Sequence, residues 1–231
     1  MAFTAFPEEA FTFLRQLRTH NSREWFEAHA GEFHRYCLEP AKQFVQSAGA
    51  VIREFVPDIQ AQPRILGSIF RLNRDTRYAK DNKPYKHHID FWFWEGERKN
   101  AVSGLFARIH PDFVGIGAGC HGFNKQRLDW FRGAVADPQS GMLLARITNA
   151  IESAGYKLRG EHYKRLPKEY LDDGPAARFL RFNALFVHQD EPPETALREG
   201  ALLAAAGRHW RALAELHHWI TKHVQRFAGP A

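Results

Sequence analysis

The stretch HIDFWFWEG, residues 88–96, decides the class of fold that the sequence predicts. Its apolar residues are aromatic or branched, and they alternate in the way that an extended chain places side chains on two faces. One face holds Ile89, Phe91 and Phe93, and the other holds Trp92 and Trp94. A strand that is apolar on both faces is typical of a central position, or of a sheet that helices cover on at least one side. We therefore expect a central or helix-covered strand here.

Further short segments around this stretch also predict strands. LGSIFRLN (66–73), AVSGLFARIH (101–110) and DFVGIGAG (112–119) are rich in aromatic and branched residues and are bounded by turn residues. The tripeptide HPD joins the last two as a predicted hairpin. Nearer the carboxyl end, YKLRG (156–160) and FNALFVHQ (182–189) could add strands.

Helical patterns precede these strands. PEEAFTFLRQLRT (7–19) repeats apolar residues at helical spacing. Asn21, followed by Glu24, resembles a capping box that begins a second helix, and Pro40 begins a third. The amino-terminal part of the chain is therefore expected to be helical.

Helical patterns also follow the strands. Residues 124–136 and 139–153 predict two helices, and a proline pair introduces a C-terminal helical region that Gly207 is expected to divide. Together the patterns predict a single α+β domain over residues 1–231, with an antiparallel or mixed β-sheet flanked by N-terminal and C-terminal helices. Its expected regions are helical 7–56, mainly strands 65–119, mixed helices and strands 124–190, and helical 193–227.

The composition indicates a protein with a sizeable core and no membrane partner. Apolar residues make up 44% of the 231 residues, and there is no run of eighteen apolar residues that would predict a membrane span. The beginning of the chain, MAFTAFPEEAF, lacks a basic region followed by an apolar one, so no signal peptide is expected. Cys37 and Cys120 are too few for a disulfide scaffold. We therefore expect a cytoplasmic protein.

Positive charge is concentrated in RLNRDTRYAKDNKPYK, residues 71–86. Between Arg64 and His88 the chain has seven Lys or Arg residues and two acids, although the net charge of the whole chain is only +6. Pro84 excludes a continuous helix, so the segment is expected to connect two strands. A nucleic-acid-binding protein usually spreads its basic residues more widely, so nucleic acid is a partner that the pattern allows but does not favour.

This basic segment predicts a site for an anion. Two acids cannot pair one to one with six cations, and surplus charge buried without a partner would cost several kcal/mol, so the surplus faces solvent or a ligand. Arg offers a planar fork and Lys a point charge to phosphate or carboxylate oxygens, so we expect a phosphate-bearing small molecule. The residues expected to bind it are Arg71, Arg74, Arg77, Lys80, Lys83, Tyr85 and Lys86.

Two alternatives to an anion site stay open for the same segment. In a structural network, Asp75 and Asp81 pair with two of the cations, while helix C-termini or backbone carbonyls receive others. In a solvated loop, the cations point to water. Tyr85 either contacts the ligand through its hydroxyl or its ring, or packs behind Pro84.

Two other classes of function are compatible with these residues. An enzyme acting on a phosphorylated or nucleotide substrate would need a base or a metal, and the nearby catalytic candidates are Asp75, Asp81 and His88. Orienting an arginine is the commoner role for Asp75, because neighbouring arginines lower its pKa and weaken it as a base. The second class is a nucleic-acid or protein-binding module in which the basic motif is partly structural. No cofactor is indicated.

Other apparent motifs carry no expected function. GAGCHG (117–122) fits the pattern G-x-G-x-x-G, but no parallel second strand follows it. Its glycines are therefore expected at a turn and where backbones pass closely. The thirteen histidines form no H-x-x-x-H or H-E-x-x-H pattern, so no metal site is expected, and no Ser-His-Asp or Cys-His arrangement is indicated.

The order of the main motifs resembles one known family. NSREWF (21–26), GSIFRLNRDTRYAKDNKPYK (67–86) and LRGEHYKRLPKEY (158–170) with ARFLRFNALF (177–186) follow one another as in a widespread bacterial and fungal family catalogued as a domain of unknown function (number twenty-four sixty-one). The resemblance covers nearly the whole chain. Its central pattern is matched at Arg74, Asp75, Arg77, Lys80, Asp81, Pro84, Tyr85 and Lys86, and it departs at Tyr78 and Asn82. That family has no established activity, so the resemblance implies the positions of a site but no reaction.

Overall fold

The computed structural model describes residues 2–75, 77, 81, 83–166, 169–170 and 174–225. Its strands are β1 Ile59–Gln60, β2 Ile89–Glu95, β3 Gly104–His110, β4 Phe113–Cys120, β5 Leu158–Glu161 and β6 Phe182–Glu191. They form one antiparallel sheet in the order β1-β2-β3-β4-β6-β5, with helices before and after it in the chain. The predicted α+β class, with a sheet flanked by N-terminal and C-terminal helices, is confirmed.

The helices fall into an amino-terminal group and a carboxyl-terminal group. The first group is α1 Glu8–Thr19, α2 Arg23–Ala28, α3 Ala30–Glu32 and α4 Glu39–Arg53, with the π-helical segment Phe33–Leu38 leading directly into α4. The second is α5 Lys125–Ala136, α6 Pro138–Ser153, α7 Glu194–Leu197 and α8 Ala201–Val224, with a 3-10 helix at Ala177–Arg181. None of the described helices is both long and apolar enough to cross a lipid bilayer.

The chain divides into two compact units, each assembled from three segments. Unit 1 consists of Met1–Phe93, Phe106–Ile116 and Asp190–Arg208. Unit 2 consists of Trp94–Leu105, Gly117–Gln189 and His209–Ala231. The single domain over residues 1–231 stays a prediction, and each unit is described by itself below.

Aromatic side chains fill the core of unit 1. Phe44 of α4 contacts Phe91 of β2 edge to face, with ring centroids 4.8 Å apart, and Phe3 and Phe6 pack around the same ring. All four side chains are buried, and burial of each large apolar side chain contributes about 1.5–3 kcal/mol. The apolar face of α1 adds Phe11, Phe13, Leu14 and Leu17. The apolar faces that the helical spacing and the strand alternation predict are therefore the buried faces.

Unit 2 contains a close approach of two backbones at a glycine. Gly119 of β4 has a φ of +121°, and a Cβ placed there would overlap the carbonyl oxygen of Leu185 in the neighbouring strand β6. The expectation that the glycines of GAGCHG serve close backbone packing is confirmed at this position. Asn124 then caps α5 by accepting a 2.9 Å hydrogen bond from the backbone N–H of Arg127.

The start of the second helix differs from the expected capping box. Ser22, and not Asn21, is the N-cap, and its hydroxyl accepts a 3.2 Å hydrogen bond from the backbone N–H of Trp25. The Asn21 amide is instead bound to the backbone of Tyr85, donating to its carbonyl at 2.9 Å and accepting from its N–H at 3.0 Å. A contact across the fold therefore takes the side chain that the local pattern assigned to the helix.

Two further expectations are wrong. Residues 66–73 form isolated bridges at Ile69 and Asn73 in place of a strand, because Leu66 turns the chain at a φ of +62°. Gly207 does not divide the C-terminal helix, since α8 runs through it. A Cβ at Gly207 would lie 3.2 Å from Cγ1 of Val51, so the small residue serves close packing within unit 1.

The close approach at Gly119 gives a first prediction. We expect Gly119→Ala to lower the free energy of unfolding by about 2 kcal/mol or more, because alanine disfavours a positive φ and its Cβ would overlap Leu185. Gly133→Ala is the matched control: it lies in α5 with no atom within 4 Å of the added Cβ, and should raise stability by about 0.5–1 kcal/mol. Urea denaturation measures both variants, and effects of the same sign and size would contradict this packing.

Candidate functional site

The basic segment forms a hairpin whose base is hydrogen-bonded. We call residues 71–86 the basic hairpin. The backbone N–H of Arg74 donates to the carbonyl of Pro84, and that of Lys86 donates to the carbonyl of Leu72, each at 2.8 Å. Asn73 and Tyr85 form an antiparallel bridge between these bonds. The base is therefore fixed, whereas Lys80 lies outside the described residues.

Tyr85 attaches the hairpin to the amino-terminal helices. Its ring is 8% exposed and stacks on Phe26 of α2, with centroids 4.4 Å apart. Its backbone holds both hydrogen bonds of the Asn21 amide. This geometry favours the packing role over a ligand contact for Tyr85.

Two cations of the hairpin are paired with its own carboxylates. Arg77 binds Asp75 with both nitrogens of its fork, Nε to Oδ1 at 2.9 Å and Nη2 to Oδ2 at 2.6 Å. Arg74 Nη1 donates to Asp81 Oδ1 at 2.9 Å and to the carbonyl of Lys83 at 3.1 Å. The hydrogen bonds from Arg77 lower the pKa of Asp75, which makes it a weaker base. These two ion pairs are the ones that the structural-network alternative expects for Asp75 and Asp81.

Among the described residues, no carboxylate lies within ion-pair distance of Arg71 or Lys83, although the charge of Arg71 also helps to lower the pKa of Asp75. The side chain of Arg71 is exposed. Lys83 Nζ lies 3.5 Å from the backbone carbonyl of Arg18, in the last turn of α1. A helix C-terminus attracts a cation but does not neutralise its full charge. Positive charge therefore remains at the base of the hairpin.

Lys86 contacts a carboxylate that the sequence did not point out. Asp90, in β2, accepts from Lys86 Nζ at 3.2 Å, and His88 Nε2 lies 3.3 Å from the same oxygen, Oδ2. Arg108 of β3 donates through Nε to Oδ1 at 2.7 Å. We call these four residues the Asp90 cluster. All of them belong to unit 1.

Asp90 is ionised, and it orients the groups around it. Its side chain is only 16% exposed. Burial raises its pKa, but the hydrogen bonds and charges of His88 and Arg108 outweigh burial, so the net pKa lies well below the usual range. A carboxylate this acidic is a poor base, and its chemical role here is to fix the direction of Lys86 and Arg108.

The Asp90 cluster keeps a surplus of positive charge. One carboxylate faces two permanent cations and an imidazole. Arg108 uses only Nε for Asp90, and among the described residues nothing binds its two terminal nitrogens. The ammonium of Lys86 also lies 5.2 Å from the centre of the Phe70 ring. The terminal nitrogens of Arg108 can therefore make a further contact without breaking the internal contacts of the cluster.

Three imidazoles lie beside this carboxylate. The ring of His87 is 5.1 Å from that of His110 and 5.8 Å from that of His88, and the rings of His88 and His110 are 6.1 Å apart. We call these three residues the histidine cluster. In the described part of the chain, no three His, Cys, Asp or Glu side chains are arranged to hold a metal ion.

His110 is neutral near pH 7. Its Nδ1 accepts a 3.2 Å hydrogen bond from the backbone N–H of Asp112, so this nitrogen carries no proton. Burial, with the charge of neighbouring groups, lowers the pKa of His110 to about 4. The 3.7 Å approach of its Nδ1 to the Asp112 carboxylate is therefore not an ion pair. The carboxylate binds Arg18 Nη1 instead, at 2.7 Å.

Unit 2 brings together a serine, a histidine and a glutamate that the sequence did not indicate. His217 Nδ1 is 2.9 Å from Ser103 Oγ, and its Nε2 is 3.0 Å from Glu95 Oε2. The proximity of His217 lowers the pKa of Glu95. Ser103 and His217 are both 0% exposed, so their side chains are closed off from solvent. We assign this arrangement to holding α8 in place.

Sequence reasoning did not single out Asp90, although it lies only four residues after Lys86. It missed Arg108 and His110 because only the pairing of β2 with β3 brings them to Lys86 and His88. Asp90 and Arg108 are eighteen residues apart in the chain. The available signal was Asp90 itself, a carboxylate between two buried apolar residues of a strand. Charged groups in such positions are usually paired.

The role assigned to Asp90 gives a second prediction. Asp90→Asn leaves Lys86 and Arg108 without the negative charge between them, so we expect the free energy of unfolding to fall by about 1–3 kcal/mol. Asp75→Asn is the matched control, since that carboxylate also binds an arginine but is exposed, and solvent screens the pair. It should leave stability nearly unchanged. Urea denaturation at neutral pH measures the free energy of unfolding of both variants. An equal loss in the two would contradict a larger stabilising role for Asp90 than for Asp75.

The neutral His110 gives a third prediction, for the dependence of stability on pH. The pKa of this side chain is about 4 in the folded protein and about 6.5 when unfolded, so the unfolded chain binds more protons between these values. The free energy of unfolding should therefore decrease as the pH falls from 7 to 5. His110→Gln should remove part of that decrease, on the order of 1 kcal/mol once solvent screening of the ring is allowed for.

Urea denaturation at several pH values measures this effect. Above about pH 7.5 the curves for the native protein and for His110→Gln should run parallel, because the imidazole is neutral in both the folded and the unfolded state. Parallel curves over the whole range would contradict the depressed pKa of His110.

Comparison with known proteins identifies the family. No curated protein and no solved structure gave a significant match to the chain. A family model described as conserved hypothetical protein matches residues 9–219, which is nearly the whole chain. The chain belongs to this family, DUF2461.

Proposed function

We propose that the protein binds an anionic, phosphate-bearing ligand at the Asp90 cluster, with the basic hairpin supplying further positive charge. The observation that carries the proposal is that Lys86, His88 and Arg108 converge on one carboxylate that cannot balance them. The cluster is accessible, because the side chains of Lys86 and Arg108 are 25% and 39% exposed.

The chemistry of these groups suits phosphate oxygens. The terminal nitrogens of Arg108 offer a planar fork, and the ammonium of Lys86 offers a point charge. Asp90 holds both in place through Nε and Nζ, so little side-chain entropy is lost when a ligand binds. His88, whose Nε2 lies 3.3 Å from the same oxygen of Asp90, adds an imidazole beside these two groups.

The cations of the hairpin contribute in different degrees. Arg71 and Lys83 have no carboxylate within ion-pair distance among the described residues, and Lys83 Nζ lies 3.5 Å from the backbone carbonyl of Arg18. Arg74 and Arg77 would exchange Asp81 and Asp75 for the ligand, which exposed pairs allow at small cost. Lys80 stays part of the predicted set.

The cytoplasmic location is part of this proposal. The two cysteines are free and buried, and burial raises the pKa of the Cys120 thiol to about 11. Because neither cysteine is in a disulfide bond, the fold does not depend on an oxidising compartment. An enzyme of phosphorylated or nucleotide substrates and a nucleic-acid or protein-binding module stay predictions, because no geometry among the described residues favours them over simple binding.

Inorganic phosphate tests the proposal, in a fourth prediction. The melting temperature of the native protein should rise with phosphate, and more than with chloride at equal ionic strength, because the ligand binds the folded state. Lys86→Gln and Arg108→Gln should each weaken phosphate binding about tenfold or more, since each removes a charge-assisted hydrogen bond. Isothermal titration calorimetry measures the affinities.

Lys99→Gln is the matched control for these variants. The ammonium of Lys99 also lies 3.2 Å from a carboxylate, that of Glu97, but it is 77% exposed and lies in unit 2. It should bind phosphate as the native protein does. The proposal fails if phosphate acts no differently from chloride, or if Lys99→Gln loses as much affinity as Lys86→Gln. A larger loss in Arg77→Gln than in Arg108→Gln would move the site away from the Asp90 cluster and towards Arg77.

A further inference from the structure

The histidine cluster and the Asp90 cluster share His88, and this places two more imidazoles next to the proposed anion. His88 Nε2 contacts Asp90 Oδ2, and the His88 ring is 5.8 Å from His87 and 6.1 Å from His110. An anion held by Lys86, His88 and Arg108 therefore comes close to both neutral rings. At such distances a charge acts strongly on the protonation of an imidazole.

The groups that face His87 and His110 are predominantly cationic. Arg18 reaches both rings from α1, and Lys83 reaches His87 from the hairpin. Asp112, in the turn between β3 and β4, is the acidic group that acts on both rings, and His88 also acts on both. Phe113 stacks on His110 at 4.5 Å and adds no charge.

These surroundings keep protons off the two rings in the absence of a ligand. Burial lowers the pKa of His87, and His88, Arg18 and Lys83 lower it further. Burial, together with the charges of His87, His88 and Arg18, lowers the pKa of His110 to about 4. Negative charge next to the rings would oppose the cations and reverse this effect.

His110 already has a partner for the proton that it would gain. Its Nδ1 accepts from the backbone N–H of Asp112 at 3.2 Å, while the Asp112 carboxylate lies 3.7 Å from the same nitrogen. If Nδ1 takes up a proton from solvent, it can no longer accept from the backbone N–H of Asp112. It would then donate to the Asp112 carboxylate instead. A small movement of the Asp112 side chain then completes the bond.

We infer that the site binds a doubly charged anion together with a proton, which His110 or His87 takes up from solvent as the anion settles on the Asp90 cluster. This inference rests on the proposed function and specifies its ligand as a dianion, such as a phosphate monoester. Binding then tightens as the solution becomes mildly acidic, provided that the anion itself keeps both charges.

Sulfate tests this coupling, in a fifth prediction, because it stays doubly charged where phosphate would take up a proton itself. Calorimetric titration at about pH 6, in two buffers with different ionisation enthalpies, measures the protons taken up with each sulfate. We expect a substantial fraction of one proton in the native protein. Between about pH 6 and pH 8 the affinity should fall, by up to about tenfold per pH unit for each proton coupled.

Variants assign the proton to its group. His110→Gln should bind sulfate at about pH 8 much as the native protein does, but with less proton uptake and a flatter dependence of affinity on pH. His87→Gln should show the same change to a different degree. His34→Gln is the control, since its side chain is 62% exposed and the residue is outside both clusters; it should match the native protein in proton uptake.

The outcomes separate this inference from the proposed function. Absence of sulfate and phosphate binding at every pH overturns both. Binding with an enthalpy that is the same in both buffers, and an affinity that does not change with pH, overturns the proton coupling alone. If a histidine variant does not fold, an NMR titration of the imidazoles of the native protein decides, because their titration midpoints should move to higher pH with sulfate and should not move if the coupling is absent.

Discussion

The candidate site depends on the contacts that the ionised carboxylate of Asp90 makes with its basic neighbours. It connects the base of the basic hairpin to β2 through Lys86, and β2 to β3 through Arg108. A buried carboxylate is stable as an ion only when several donors repay its lost hydration, and Asp90 has three basic neighbours. Those neighbours are in turn held close together, against their mutual repulsion, by the one negative charge between them.

Regular patterns in the sequence predicted most elements of the fold, and the exceptions have physical causes. β2 and the faces of α1 follow directly from apolar periodicity. The strand expected over 66–73 has the right composition, but Leu66 turns the chain with a left-handed φ that composition does not reveal. Asn21 has the right spacing for a cap, but its amide is bound to Tyr85, sixty-four residues away. Such long-range contacts override local preference and are invisible to a local pattern.

The candidate site was predictable only in its charge. Counting cations in 71–86 located the positive charge, and the structural alternative expected Asp75 to pair with one of these cations, which is Arg77. The convergence of Lys86, His88 and Arg108 required the register of two strands, which no count contains. The hairpin contributes a fixed base, and the sheet contributes the carboxylate that arranges the cations. Structural pairing and ligand binding are therefore not exclusive here, because the same ion pairs that stabilise the hairpin direct the remaining charge.

A folded protein can keep a cationic site only if the repulsion within it stays small when no ligand is bound. Asp90 reduces this repulsion by placing a negative charge among the cations. The neutral histidines add no positive charge of their own, so they do not increase the repulsion. Lysine or arginine in place of His87 and His110 would attract an anion more strongly but would burden the empty site at every pH. Imidazoles avoid that burden, because their charge depends on the charge of what lies beside them. The arrangement therefore reconciles a stable fold with the surface that we propose binds an anion.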